Sequence, residues 1–229
     1  MNLYFYQDPQ FGDRMITLMA AAVLVLQITM VAQRWLLTNI RAFAVQSLLL
    51  ACIANTIAYY NRAPHIYIAA ALTVIFKVIL LPVILRRLVA RVEIRQEIEP
   101  LVNVPVSVLI SGLLTLLALV VAEPLRAAPE TGVAGLGRNT LPVAIALFLI
   151  GFFMMISRRK ALTQVLALLS LENGLFLAAI SLTWGMPLII ELGIFFDVLV
   201  AVMILAILVF RIRETFDSMD VSRLTRLRG

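Results

Sequence analysis

The chain has 229 residues, of which 62% are hydrophobic and only 14% charged, with a mean hydropathy of +1.02. Soluble domains average about 45–50% apolar and about 25% charged residues, so this balance belongs to the membrane class. The net charge of +6 does not make it a nucleic-acid binder, because the basic residues flank apolar runs and form no continuous patch.

A transmembrane helix needs about 20 mostly apolar residues. Met15–Ala32 is the first such stretch, after a polar leader of mixed charge that does not resemble a signal peptide. Ala42–Tyr60 and Ile66–Leu85 follow, then Val104–Ala122, the short Leu141–Ile156, Ala161–Leu182 and Leu188–Phe210. Prolines 64, 105, 142 and 187 stand at or just before helix starts, where a missing N–H does no harm. Pro124 is expected to follow the fourth helix. Each run must be helical, since unpaired backbone is too costly in lipid. The expected fold is an all-α polytopic membrane protein of about seven transmembrane helices.

Between the spans, 86–103 is charged and is expected either as a loop or as a cytoplasmic surface helix, and 123–140 as a periplasmic loop. Arg34, Arg41, Arg86, Arg87, Arg91, Arg95, Arg158–Lys160 and five arginines of the C-terminal tail fall on one side of this topology. Arg14, Arg62, Arg126 and Arg138 fall on the other. The positive-inside rule then predicts an outer N-terminus and a cytoplasmic C-terminus. Trp184, Tyr59, Tyr60 and Tyr67 fit an outer aromatic belt.

An internal offset of 118 aligns Arg41–Gln46 with Arg159–Gln164 and Asn55 with Asn173; with small gaps, Pro64 meets Pro187 and Lys77 meets Asp197. Two three-helix units are therefore expected in tandem, at 1–103 and 141–229, with 104–140 supplying a linking helix and a periplasmic loop.

Ionisable groups deep in these runs are the candidate functional residues. A carboxylate or ammonium at the bilayer centre costs roughly 2.5–3.5 kcal/mol on insertion scales, so each must face protein or water. Glu172 lies near the middle of the sixth run, with Ser170 and Asn173 beside it and Gln164 on roughly the same face. Asp197 lies near the middle of the seventh run and Lys77 near the middle of the third. An acid paired with Lys77 can serve helix packing alone, or the three groups can form a proton relay; both readings stay open here. Pro82 removes the hydrogen bond to the Val78 carbonyl and is expected to kink the third helix beside the lysine. Glu191, one turn into the seventh run, is either a solvated acid at a helix start or an outer proton terminal. The single cysteine, Cys52, and the lack of a C-x-x-C motif argue against an iron–sulfur or structural zinc site. No phosphate loop or nucleophile–base set is present, so no cofactor or catalytic centre is expected.

The basic turn Arg158-Arg159-Lys160, the string LLSLENGLFLAA around Glu172 and the acid-bearing run ELGIFFDVLVAV carry a resemblance. Over 141–213 the chain resembles the small, three-helix K-type membrane protein of respiratory complex I and its C-type relative in Mrp antiporters. Over most of its length it resembles the component E family of hydrogenase-4 and formate hydrogenlyase-type complexes. The resemblance implies a non-catalytic membrane-arm subunit of a redox complex in the bacterial inner membrane. Its partners would be antiporter-like and H-like membrane subunits and peripheral hydrogenase-like subunits. It also implies a proton pathway, with Glu172 as the first buried acid and Asp197 or Glu191 as the second; Lys77 is placed by depth alone. A subunit of a cation/proton antiporter, or a structural membrane spacer, remains the alternative.

Overall fold

The computed structural model describes residues 9–92, 101–127 and 138–182, and all of them lie in helices or the short turns between helices. Helix α1 spans Pro9–Ala32 and α2 spans Leu36–Asn61. The third crossing is built from α3 (Pro64–Thr73), a π-helical segment (Val74–Leu80) and α4 (Leu81–Val92). Helix α5 spans Val104–Ala127; a 3₁₀ turn at Arg138–Thr140 leads into α6 (Leu141–Ser157), and α7 spans Ala161–Leu182. Six helices among the described residues are long and apolar enough to cross a membrane, the third being the continuous Pro64–Ala90. The expected span at 188–210 lies outside the described residues.

Two expectations need correction. Pro124 does not follow the fourth crossing but lies inside α5, in its last turn. The only backbone bond it forfeits is the one to the Val120 carbonyl, and the helix stops soon after. The chain does not leave the helix at Arg86 either. Helix α4 runs on to Val92, because Leu85, Leu88 and Val89 form an inward face buried in the core beside α2.

Pro82 acts as more than a kink. The Leu81 N–H donates to the Phe76 carbonyl, five residues back, in place of the α-helical partner four back. Pro82 has no N–H to offer Val78, and the wider register redistributes the orphaned carbonyls ahead of it. Lys77 sits in this segment, and its side chain is buried. At the other turn, Arg62 closes α2 in the left-handed region (φ 49°, ψ 42°), and Pro64 opens α3 at its first position.

The interior is layered along the membrane normal. One apolar core contains Met30, Leu36, Phe43, Leu85, Met154 and Leu166, and the other contains Ile16, Val23, Ile53, Ile66, Leu147 and Leu177. Between them, buried polar positions on α1, α2, the π segment and α7 share one level: Gln27, Gln46, Ser47, Lys77, Ser170, Glu172 and Asn173. Hydroxyls elsewhere in the helices bond back to their own carbonyls, as Thr29 does to Val25, Thr73 to Ala69 and Ser111 to Ser107. That local satisfaction lets them sit in an apolar medium. Leu109, Leu113, Leu116 and Val120 leave the outer face of α5 apolar and exposed, suited to lipid tails or to another membrane chain.

Small residues set how closely the helices approach. At Gly12, an added Cβ would meet the Tyr60 ring at 2.5 Å, but that ring is the movable end of a side chain. Gly12→Ala is therefore expected to shift stability by less than about 1 kcal/mol, as read by the thermal midpoint of the purified protein. A drop comparable to a core cavity would show that Tyr60 cannot swing aside.

Candidate functional site

The polar layer is organised around one ion pair. Lys77 Nζ lies 2.9 Å from Glu172 Oε1, with the two residues only 2% and 5% exposed. Apart from this ion contact, neither Glu172 oxygen has a hydrogen-bond partner among the described residues. Nζ also lies 3.3 Å from Asn173 Oδ1 and 5.8 Å from the centroid of the Phe176 ring, close enough for a cation–π contribution. All three contacts come from α7, and the π segment presents the lysine to them.

Asn173 connects the pair to the rest of the layer. Its Nδ2 donates to Gln46 Oε1 and to Ser47 Oγ, each at 3.1 Å. Gln46 Nε2 donates to Gln27 Oε1 at 2.9 Å, and the Ser170 hydroxyl donates to the same oxygen. Gln27 Nε2 ends the series on Met154 Sδ at 3.8 Å. Helices α1, α2, α6 and α7 and the π segment thus contribute to one buried network, and the two apolar cores seal it above and below.

Of the four residues expected to matter, Glu172 and Lys77 are brought together. Asp197 and Glu191 lie outside the described residues. The pairing of Lys77 with Glu172 has the geometry expected of a packing lock as well as of a relay. Gln164 does not share the Glu172 site: its Nε2 donates to the Arg158 carbonyl at 2.9 Å and closes the start of α7. Gln27, Gln46 and Ser47 were not singled out as site residues. The signal that could have found them is an amide or hydroxyl within an otherwise apolar run, at the level of the charged groups. The repeat-matched residues meet different surroundings: Asn173 is buried while Asn55 is exposed, and Gln46 is buried in the network while Gln164 is exposed and bonds to the Arg158 carbonyl.

At the end of the bundle holding the α1 C-terminus, the Arg158 guanidinium is buried and donates to the Val31 carbonyl. At the opposite end, Asn139 donates to Asp13 Oδ2 at 2.9 Å, and the Thr140 and Ser181 hydroxyls meet at 2.7 Å. These contacts tie the helix ends together and leave the central layer as the one place where buried opposite charges meet among the described residues.

Hydrogenase-4 component E of Escherichia coli K12 is 29% identical to the chain over 187 residues, covering 82% of this chain and 85% of that one. The chain is a homologue of hydrogenase-4 component E. Hydrogenase-4 component E of Shigella flexneri matches with the same identity and coverage. An uncharacterized protein of Mycobacterium tuberculosis is 40% identical over 115 residues, half of each chain. No family model matches the chain, and no solved structure matches it. A match of 187 residues in a chain of 229 necessarily contains 46–173, so the likeness to hydrogenase-4 component E runs through most of the polar layer and both partners of the ion pair.

Proposed function

We propose that this chain is a membrane-arm subunit of a hydrogenase-4-like, complex I-related redox complex of the bacterial inner membrane, and that its Glu172–Lys77 pair is part of a route for protons. The observation that carries this reading is a mid-span ion pair whose acid keeps a buried oxygen without a hydrogen bond. Such an oxygen is expensive to leave dry, and a proton or an internal water would satisfy it. Protonating Glu172 turns a neutral pair into a net positive one in a low-dielectric layer. That step is favourable only if charge moves nearby at the same time, which is the property a coupling site needs.

Asp197 and Glu191 are the proposed further stations of the route, and Lys77 tunes or continues it. The proposed partners are the other membrane-arm subunits and the peripheral hydrogenase-like subunits that carry the electrons. The described basic residues Arg34, Arg41, Arg86, Arg87 and Arg158–Lys160 share one end of the bundle, which supports a cytoplasmic position for that end and an outer N-terminus. The test is the complex in sealed vesicles, scored for protons moved per electron transferred. Glu172→Gln cannot carry the proton and is expected to lower that ratio by at least about tenfold while electron transfer continues. An unchanged ratio rejects the role.

One observation favours a second reading. The pair is neutral overall and joins the third crossing to α7, as a packing lock would. In that case the pair could be exchanged for apolar side chains without loss of proton movement.

A further inference from the structure

The amides of the polar layer are aligned, and the alignment has a direction. Beginning at the lysine, the contacts run from Lys77 Nζ to Asn173 Oδ1, from Asn173 Nδ2 to Gln46 Oε1, from Gln46 Nε2 to Gln27 Oε1, and from Gln27 Nε2 to Met154 Sδ. Every carbonyl oxygen faces the lysine side and every amide nitrogen faces away. This orientation is dictated by the chemistry. An ammonium has only donors, so Asn173 must turn its oxygen toward it. The Asn173 nitrogen then requires the oxygen of Gln46, and the Gln46 nitrogen requires that of Gln27. The Ser170 hydroxyl adds a second donor to the Gln27 oxygen. All three amide residues are fully buried.

We infer that Asn173, Gln46 and Gln27 form an oriented amide chain that holds the Lys77 ammonium in place whether or not Glu172 is charged. Three dipoles set head to tail place their negative end on the cation, and hydrogen bonds in such a series polarise one another. A proton arriving on Glu172 removes the negative charge described beside the ammonium, whereas the amide chain is unaffected by it. With that chain, Lys77 keeps a preorganised partner through the whole cycle, and the pair can be re-formed without the lysine leaving the site. Gln46 and Gln27 act through Asn173 and touch neither member of the pair in the described contacts; they are positioning residues. The functional side of this inference rests on the proton-route reading above, and its structural side does not.

The experiment uses the assembled complex labelled with ¹⁵N-lysine. The Lys77 Nζ signal is identified by its loss in Lys77→Arg, a task helped by there being just one other lysine in the chain, Lys160. Wild type and Glu172→Gln are both expected to show one ordered ammonium signal at Lys77. Glu172→Gln combined with Gln46→Met, which keeps side-chain length but ends the chain, is expected to lose it to a broadened or neutral-amine signal. Loss of the signal already in Glu172→Gln, or its persistence in the double variant, overturns the inference. If Gln46→Met blocks assembly, Gln27→Met at the far end decides the same question. Proton-to-electron ratios separate the two claims. A normal ratio in Glu172→Gln removes the proton-route reading but leaves the lysine signal to be judged. A collapsed ratio there with an unchanged one in Gln46→Met removes the functional role of the amide chain alone.

Discussion

Lys77→Leu is expected to destabilise the bundle by about 3–5 kcal/mol, the usual cost of removing one partner from a buried ion pair. The loss comes less from the attraction removed than from what stays behind: a Glu172 carboxylate that is 5% exposed, already short of hydrogen-bond partners among the described residues, and now without the counter-charge described beside it. The double variant Lys77→Met, Glu172→Leu removes both charges and fills similar volume. Exchanges of this kind are neutral or stabilising by about 1–4 kcal/mol in other proteins. The expected pattern is therefore a single variant that fails to assemble, or melts far lower on thermal unfolding of the complex, and a double variant that recovers. Proton movement then separates the readings: a recovered double variant that no longer moves protons fits the route, and one that does fits a packing lock.

Gly174→Leu is expected to be as damaging, for a different reason. Helices α6 and α7 meet backbone to backbone at two glycines. A Cβ at position 174 would stand 2.7 Å from the Phe148 nitrogen and 2.9 Å from the Ala144 oxygen, and one at Gly151 would stand 2.8 Å from the Leu171 backbone. No side chain can turn away to make room there, so the helices themselves must separate. Even Gly174→Ala is expected to cost about 1–3 kcal/mol. The leucine should abolish stable incorporation of the subunit, as read on native gels of the complex. Gly112, on α5, has open space at the corresponding point, and Gly112→Ala should be neutral or raise helix stability by up to about 1 kcal/mol. Because Gly174 follows Asn173 and Glu172 directly, pushing α7 outward would also move both away from Lys77.

The crossings were legible because the bilayer enforces a simple rule, long apolar runs in helical form, and the sequence obeys it. Ala161–Leu182 matches its expected limits, and Leu141–Ser157 differs by one residue. Where the limits moved, packing decided. Leu88 and Val89 carry α4 past Arg86 because they face a core that hydropathy along the chain does not reveal. The site was half legible. Depth alone nominated Glu172 and Lys77, but not their meeting, since a helix position gives height and leaves rotation open. That rotation is set at Lys77 by a π-helical segment, whose cause, Pro82, was visible while its form was not. Gln27 and Gln46 escaped notice because a neutral amide in a span carries a weaker penalty than a charge, and its value appears only when several share one level.

The most direct measurement is the protonation of Glu172 during turnover, followed in the complex by redox-difference infrared spectroscopy. The account predicts a carboxyl carbonyl band that changes between resting and turning-over states and disappears in Glu172→Gln. If no band assignable to Glu172 changes while protons are moved, the buried pair is a fixed element of packing and the protons travel elsewhere.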